Sequence, residues 1–385
     1  YPLYLIIDEY DNFTNVILSE HGQQMFHDLT HASGFYREYF KQFKGMFDRI
    51  FMMGVSPVTL DDLSSGYNID WNISVDPRFN AMMGFDETEV REMFHYYQQN
   101  DMLNGDVEAM IAEMKPWYDN YCFARKSLDD DRVFNCDMTL YYLRWQVDFH
   151  RAPEEMVDKN IRTDYSKLKM LARIDRDSVQ EGDRMSTIEK IAAEGDIFVD
   201  LHTSFPAERI TDIDNFRSLL YYYGLLTMCG TRGDLIKMSI PNNCVREQYF
   251  GFLRDYYQKY SSIDLHYLNV MLTDMAYDGR WKPFFESVAQ AYRENSAVRD
   301  AMEGERNLQG FLKAYLALAS YYLVEPELEM NYGYCDFFLL PDKKRYPDVK
   351  HSYILELKYA TRTATDAELE VQALEGRNQL LQYSE

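Results

Sequence analysis

Asp336, Glu356 and Lys358 are the side chains whose types and spacing best suit chemistry in this chain. The run Cys335-Asp336-Phe337-Phe338-Leu339-Leu340 is followed, after a charged turn, by Tyr353-Ile354-Leu355-Glu356-Leu357-Lys358. Both runs read as strands. Strand side chains alternate between faces, so Glu356 and Lys358 point the same way, in line with Ile354, while Leu355 and Leu357 take the other face. If the two strands pair, Asp336 reaches the same sheet edge. Two carboxylates and a lysine meeting there would hold Mg²⁺ and prepare a water for attack on a phosphodiester. The plain reading of a Glu-x-Lys in a strand is a solvent-facing ion pair. The upstream acid and the hairpin order argue for more than that.

A second acid pair closes the run Leu5-Ile6-Ile7-Asp8-Glu9. At the C-terminal edge of a parallel strand, two carboxylates face the crevice where α/β sheets bind ligands. In a nucleotide hydrolase the first would support Mg²⁺, and the second would orient or deprotonate the attacking water. Apolar runs ending in acids are also common without any function. A phosphate cradle of the form G-x-x-x-x-G-K-[ST] should precede such a strand, and none occurs in the 385 residues. The first residue, Tyr1, falls inside a strand-like run. The expectation is therefore that the cradle lies upstream of Tyr1, and that this stretch alone binds ATP poorly.

The elements that must position these groups follow from periodicity. Leu3–Ile7 and Arg49–Val55 read as buried parallel strands, and His21–Phe43 between them as a helix. From about 86 to 220 the pattern is mostly helical. Asp86-Glu87-Thr88-Glu89 opens a helix with acids in its first turn, and helix-periodic segments recur at 137–149 and 153–172. Ile213–Tyr223 runs into two short strands around Gly230-Thr231-Arg232-Gly233-Asp234, the outline of a winged-helix unit. Residues 245–260 are helical. A helical pattern covers 265–320 with breaks at Pro283 and Gly304, a strand starts at Tyr321, and Ala367–Tyr383 returns to helix.

Composition sets limits. The chain is 46% hydrophobic, enough for two or three domains with their own cores. Its net charge is −23, and residues 255–385 alone hold 14 Lys/Arg against 21 Asp/Glu. That excludes a general basic coat for nucleic acid but leaves room for a local, metal-assisted cleft. The five cysteines are scattered with no C-x-x-C pair, which suggests reduced thiols in a cytoplasm rather than a disulfide frame or zinc site. No apolar run is long enough to cross a bilayer. His27 and His31 have i, i+4 spacing but no further metal-ligand framework. Tyr141-Tyr142, Tyr221-Tyr222-Tyr223 and Tyr256-Tyr257 suit helix faces half buried in a core better than base-stacking platforms. The winged-helix-like stretch has few basic residues (Arg217, Arg232, Lys237, Arg246), which suits a lid better than a DNA reader.

Several ordered motifs resemble a bacterial AAA-ATPase-like family whose members join an AAA-type module to a C-terminal PD-(D/E)XK nuclease-like domain. They are Leu5-Ile6-Ile7-Asp8-Glu9-Tyr10-Asp11, Gly54-Val55-Ser56-Pro57 and Phe79-Asn80-Ala81-Met82-Met83-Gly84-Phe85. Tyr222-Tyr223-Gly224-Leu225-Leu226-Thr227, Ile240-Pro241-Asn242-Asn243, and Gly333-Tyr334-Cys335-Asp336 with Glu356-Leu357-Lys358 complete the set. The resemblance implies that Asp8 is the Walker B metal-supporting acid and Glu9 the water-orienting acid. It makes Asp336 and Glu356 metal ligands together with the backbone carbonyl of Leu357, and Glu305 a helical metal ligand. It also makes Lys358 the stabiliser of the hydroxide or phosphorane charge and Gln379 a phosphate or water contact. Met53 departs from the family by standing where a polar sensor residue is usual, and Ser56 is the nearest hydroxyl residue after it.

The expected fold is therefore α/β: a truncated AAA-type P-loop core over 1–85, a helical and winged-helix-like middle over 86–260, and a restriction-endonuclease-like α/β domain over 261–385. The expected activity is Mg²⁺-dependent cleavage of nucleic acid, DNA first, coupled to ATP hydrolysis in the intact protein. The alternative is a nucleotide-dependent regulatory or assembly ATPase with an inactive nuclease-like binding module, and a third reading is a scaffold with both sites dead. The expected partners are nucleic acid and further copies of the chain through the AAA-like core, with no membrane.

Overall fold

The first apolar run becomes β1 (Tyr4–Ile7) and the run after Asp48 becomes β2 (Arg49–Met52), paired in parallel with Ile6 opposite Phe51. A computed structural model describes residues 2–11, 42–43, 46–55, 57, 71–130, 132–158, 166–173, 181–205, 209, 212–258, 263–294, 305–330, 333–358, 360 and 364–383. The expectation of strands buried on both faces is corrected here. Tyr4 and Ile6 are 63% and 70% exposed, while Ile7 and Met52 turn inward with Phe43 onto Tyr10. Among the described residues this sheet is two strands wide, and only alternate side chains are covered. The helix expected over 21–43 lies outside the described residues, apart from 42–43.

The chain divides into two units, Tyr1–Met185 with Asp196–Gln248, and Ser186–Gly195 with Tyr249–Glu385. In the first, α1 (Glu87–Gln99) starts at a full capping box. Asp86 Oδ1 accepts from the Glu89 N–H at 2.8 Å, and Glu89 Oε2 accepts from the Asp86 N–H at 3.0 Å. α2 (Val107–Tyr118) and α3 (Cys136–Phe149) are capped by Asp106 and Asn135. The apolar faces of these three helices meet in one core, which includes Phe94, Met114, Tyr118, Phe134 and Tyr142. Then come α4 (Ser166–Arg173) and α5 (Glu181–Glu194), which ends at Gly195 with φ 82°.

The reading of 86–220 as helical missed one strand. Asp196-Ile197-Phe198-Val199 forms β3, a β-branched and aromatic run directly after the helix-ending glycine. It pairs with the hairpin that follows α6 (Ile213–Tyr222), made of β4 (Thr227–Arg232) and β5 (Leu235–Ser239). The sheet is antiparallel in the order β3-β5-β4, and Gly233 supplies a left-handed turn residue at φ 63°. α7 (Asn243–Gln258) follows.

The second unit contains α8 (Leu265–Asp278), α9 (Lys282–Glu294) and α10 (Glu305–Leu316). Next come the antiparallel strands β6 (Tyr322–Met330), β7 (Gly333–Pro341) and β8 (Tyr353–Leu355), then α11 (Asp366–Tyr383). Pro283 does not break a helix: it is the second residue of α9, where no intrahelical partner is lost. The break falls at Gly279, the left-handed C-cap of α8. Gly304 lies outside the described residues. Two cations close helix ends in this unit. Arg254 donates to the carbonyls of Ala314 and Ala317, each at 3.0 Å, and Lys313 donates to the Ala193 carbonyl at the end of α5.

Candidate active site

β7 alternates as expected. Cys335, Phe337 and Leu339 are buried on one face, and Asp336 and Phe338 lie half-buried on the other. Phe337 is opposite Leu355 in the β7–β8 register. The ladder then stops. Glu356, Leu357 and Lys358 lie beyond the end of β8 rather than in it, which corrects the expectation that the strand runs to Lys358. The cause lies on the neighbouring strand: the Leu357 N–H donates to Asp336 Oδ2 at 2.6 Å, so a side-chain carboxylate takes the amide. That bond brings Asp336 to the Glu-x-Lys segment.

Glu356 and Lys358 point the same way, as their spacing requires, and form an ion pair with Lys358 Nζ 2.6 Å from Glu356 Oε1. It is not the solvent-facing pair of the plain reading. The Glu356 side chain is 6% exposed and that of Lys358 is 28% exposed. α11 lies against both through Gly376. A Cβ there would stand 3.4 Å from Lys358 Cγ and 3.7 Å from Glu356 Cγ, so a residue larger than alanine would press on the pair. On the next turns of the same helix, Gln379 has a buried Oε1 without a hydrogen-bond partner, and Tyr383 is buried. Burial pushes the Tyr383 hydroxyl above its ordinary range, and the charges of Glu356 and Asp336 add to the shift.

One oxygen stands out: Glu356 Oε2 is buried and has no hydrogen-bond partner. A buried carboxylate oxygen left alone is costly, and a hard cation would satisfy it. Mg²⁺ is commonly held by only one or two carboxylates and keeps several waters, so Asp336 and Glu356 fit as its protein ligands. Among the described residues no group of three His, Cys, Asp or Glu is gathered for a metal. Glu305 is the first residue of α10, and its side chain lies outside the described part of the structure.

Sequence reasoning missed Gln309. It is one turn after Glu305 on α10 and donates from Nε2 to Asp336 Oδ1 at 3.2 Å. The available signal was the i, i+4 spacing from Glu305 on an amphipathic helix.

Asp8 and Glu9 follow β1 in the first unit, and both are exposed. Glu9 has φ 50°, and its N–H donates to Asp8 Oδ1 at 2.9 Å. The acid this turn is built around is Asp11, which received no role from the sequence. It is 1% exposed and takes the Val55 N–H on both carboxylate oxygens, at 3.1 and 3.0 Å. Gly54 is required there, because a Cβ would fall 2.4 Å from Asp11 Oδ1 and 2.4 Å from Tyr10 Cε1. Met53 contributes backbone only, accepting from the Tyr10 N–H and donating to the Ile7 carbonyl. Ser56, His21, His27 and His31 lie outside the described residues.

The tyrosine stretches serve packing. Tyr142, Tyr221 and Tyr257 are buried, with hydroxyls donating to Glu113, the Phe123 carbonyl and Glu189. Of the basic residues around β4 and β5, Arg217 pairs with Asp214, Lys237 with Asp196, and Arg246 with the Asn243 side chain. Arg232 lies over the Phe198 ring.

Two stretches of the chain match known families. Residues 303–385 match the family model of the PD-(D/E)XK nuclease superfamily, and residues 1–64 match the model described as Predicted AAA-ATPase. No curated protein and no solved structure matches the chain. Among the described residues no helix is long and apolar enough to cross a membrane. The chain is thus similar to predicted AAA-ATPases over its first 64 residues and to the PD-(D/E)XK nuclease superfamily over residues 303–385.

Proposed function

We propose that the C-terminal domain hydrolyses phosphodiester bonds of nucleic acid, DNA in the first instance, and that ATP hydrolysis by the AAA-like core of the intact protein is coupled to it. Asp336, Glu356 and the Leu357 carbonyl would hold Mg²⁺, with Glu305 as a further ligand. When bound, the ion supplies positive charge and an acidified water. Gln309 and the Leu357 N–H fix Asp336 in place. Lys358, held beside Glu356, stabilises charge developing on the phosphoryl oxygens. In the core, Asp8 would hold Mg²⁺, and Glu9 would orient the attacking water. Assembly of several copies through that core belongs to the same proposal. So does a lid role for the winged-helix-like β3–β5 region, whose basic residues are already engaged within the fold.

The observation that carries the reading is the buried, unpartnered Glu356 Oε2 beside the Lys358 ion pair. Lys358→Ala is the test. With plasmid DNA and Mg²⁺, cleavage should fall by roughly 10²–10³ while the far-UV circular dichroism is retained. Cleavage at the parent rate removes the assignment.

A second reading rests on the net charge of −23 and on the lysine already neutralising Glu356. In it the domain is an inactive binding module of a regulatory or assembly ATPase. It requires that no divalent metal supports cleavage and that ATP turnover survives Asp336→Asn.

A further inference from the structure

The first unit contains a cleft of about 590 Å³, within the range of small-molecule sites. It lies where α1 begins and α2 ends, and its polar lining is Glu87, Lys115, Asp119, Asn120, Asp130 and Arg132. Its two cations are already committed. Lys115 bonds to Glu87, which also takes Arg91 Nη2 at 2.8 Å. Arg132 donates to the carbonyls of Met228 and Leu128, each at 3.1 Å.

Asp119 and Asp130 are not matched as closely. The Asp119 side chain is 4% exposed, and its Oδ1 is buried without a hydrogen-bond partner. Its Oδ2 is 3.7 Å from Lys115 Nζ, too far for a direct hydrogen bond. Burial holds this carboxyl above its ordinary range, with the nearby Asn120 backbone and Lys115 opposing the shift only in part. Asp119 is also the C-cap of α2, and a negative side chain has the wrong sign for the partial negative charge of a helix C-terminus. The next residue, Asn120, adopts φ 85°, a left-handed conformation that asparagine accepts more readily than most residues with a side chain, and is pinned by its Nδ2 to the Pro241 carbonyl at 2.8 Å. Asp130 adds an exposed carboxylate to the same cleft. The lining therefore holds three carboxylates against two cations, and Asp119 is the most buried and least satisfied of the three.

We propose that this cleft binds a small organic cation, a primary amine or guanidinium, which takes the place of Lys115 beside the Asp119 carboxylate, with Asp130 as the outer charge. The site is independent of the nuclease reading and would give the protein a small-molecule input.

Isothermal titration calorimetry of the full chain with agmatine tests it. This probe carries an amine at one end and a guanidinium at the other. Saturable one-to-one binding is expected. The isosteric Asp119→Asn should weaken it at least ten-fold, and Asp130→Asn roughly two- to five-fold. Lys115→Met removes the competing cation and should tighten binding, which keeps the test decisive if the Asp119 variant does not fold. Glutarate, an anion of similar length, should give no binding heat. The proposal is overturned by absent or non-saturable agmatine binding, by equal affinity in Asp119→Asn, by unchanged or weaker affinity in Lys115→Met, or by glutarate binding in place of agmatine.

Discussion

Glu189 and Lys313 are opposite charges buried in the same unit, and each has different partners. Lys313 reaches the last carbonyls of α5 and lies 5.5 Å from the Phe337 ring centroid. Glu189 accepts from the Tyr257 hydroxyl at 3.1 Å, which does not compensate its burial, and its carboxyl is pushed up to about 7. Between an unfolded-state value near 4.5 and that raised value, the folded protein keeps a proton the unfolded chain has lost. The contribution of Glu189 to stability therefore falls as pH rises through this window and levels off above it. The whole difference is on the order of 3 kcal/mol. Glu189→Gln, which keeps the neutral shape, should remove that part of the pH dependence. Urea unfolding at pH 5 and pH 8 measures it, and identical pH slopes in variant and parent would show that Glu189 does not titrate in this window.

At the scale of elements, the capping box of α1 gives a direct test. Asp86 and Glu89 satisfy each other's backbone N–H groups at a helix start beside the core of α1, α2 and α3. Asp86→Ala should cost about 1 kcal/mol, read as a lowered urea midpoint at unchanged slope, with Glu89→Gln costing less because an amide can still accept. This helix was legible in the sequence because its signal is local, an acid followed three residues later by Glu. The order β6, β7, β8, α11 was legible for a similar reason, from apolar runs punctuated by turn residues. What escaped depended on long-range partners. Nothing within Tyr353–Lys358 says that the ladder ends at Leu355, since the amide of Leu357 is taken by a carboxylate 21 residues away. Nothing within Leu3–Ile7 says that Tyr4 and Ile6 face outward, because burial of a strand depends on the layers around it. β3 is four residues long and looked like the tail of a helix. That Asp336, Glu356 and Lys358 come together was legible from residue type and spacing, whereas Gln309 had only its spacing from Glu305 as a signal and Tyr383 had none until the sheet is placed against its helix.

For the whole molecule, charge decides how nucleic acid could be held. A net charge of −23 repels a polyanion at long range, and the second unit offers no surplus of cations to offset it. Proteins that bind DNA through basic surfaces release one counterion per neutralised phosphate, giving a slope near −0.9 per contact in log affinity against log salt. This chain should behave differently. If Asp336 and Glu356 hold the cation that meets the scissile phosphate, binding should depend on the divalent ion and only weakly on potassium chloride. The expected slope is about −1 to −3, corresponding to a few phosphate contacts. Filter binding of a short DNA duplex with Ca²⁺, which occupies oxygen sites without supporting cleavage as Mg²⁺ does, measures both properties, and chelation should then release the duplex. A slope of about −5 or steeper that survives chelation would mean that a basic surface elsewhere in the molecule carries the DNA, and the two carboxylates would lose their part in holding it.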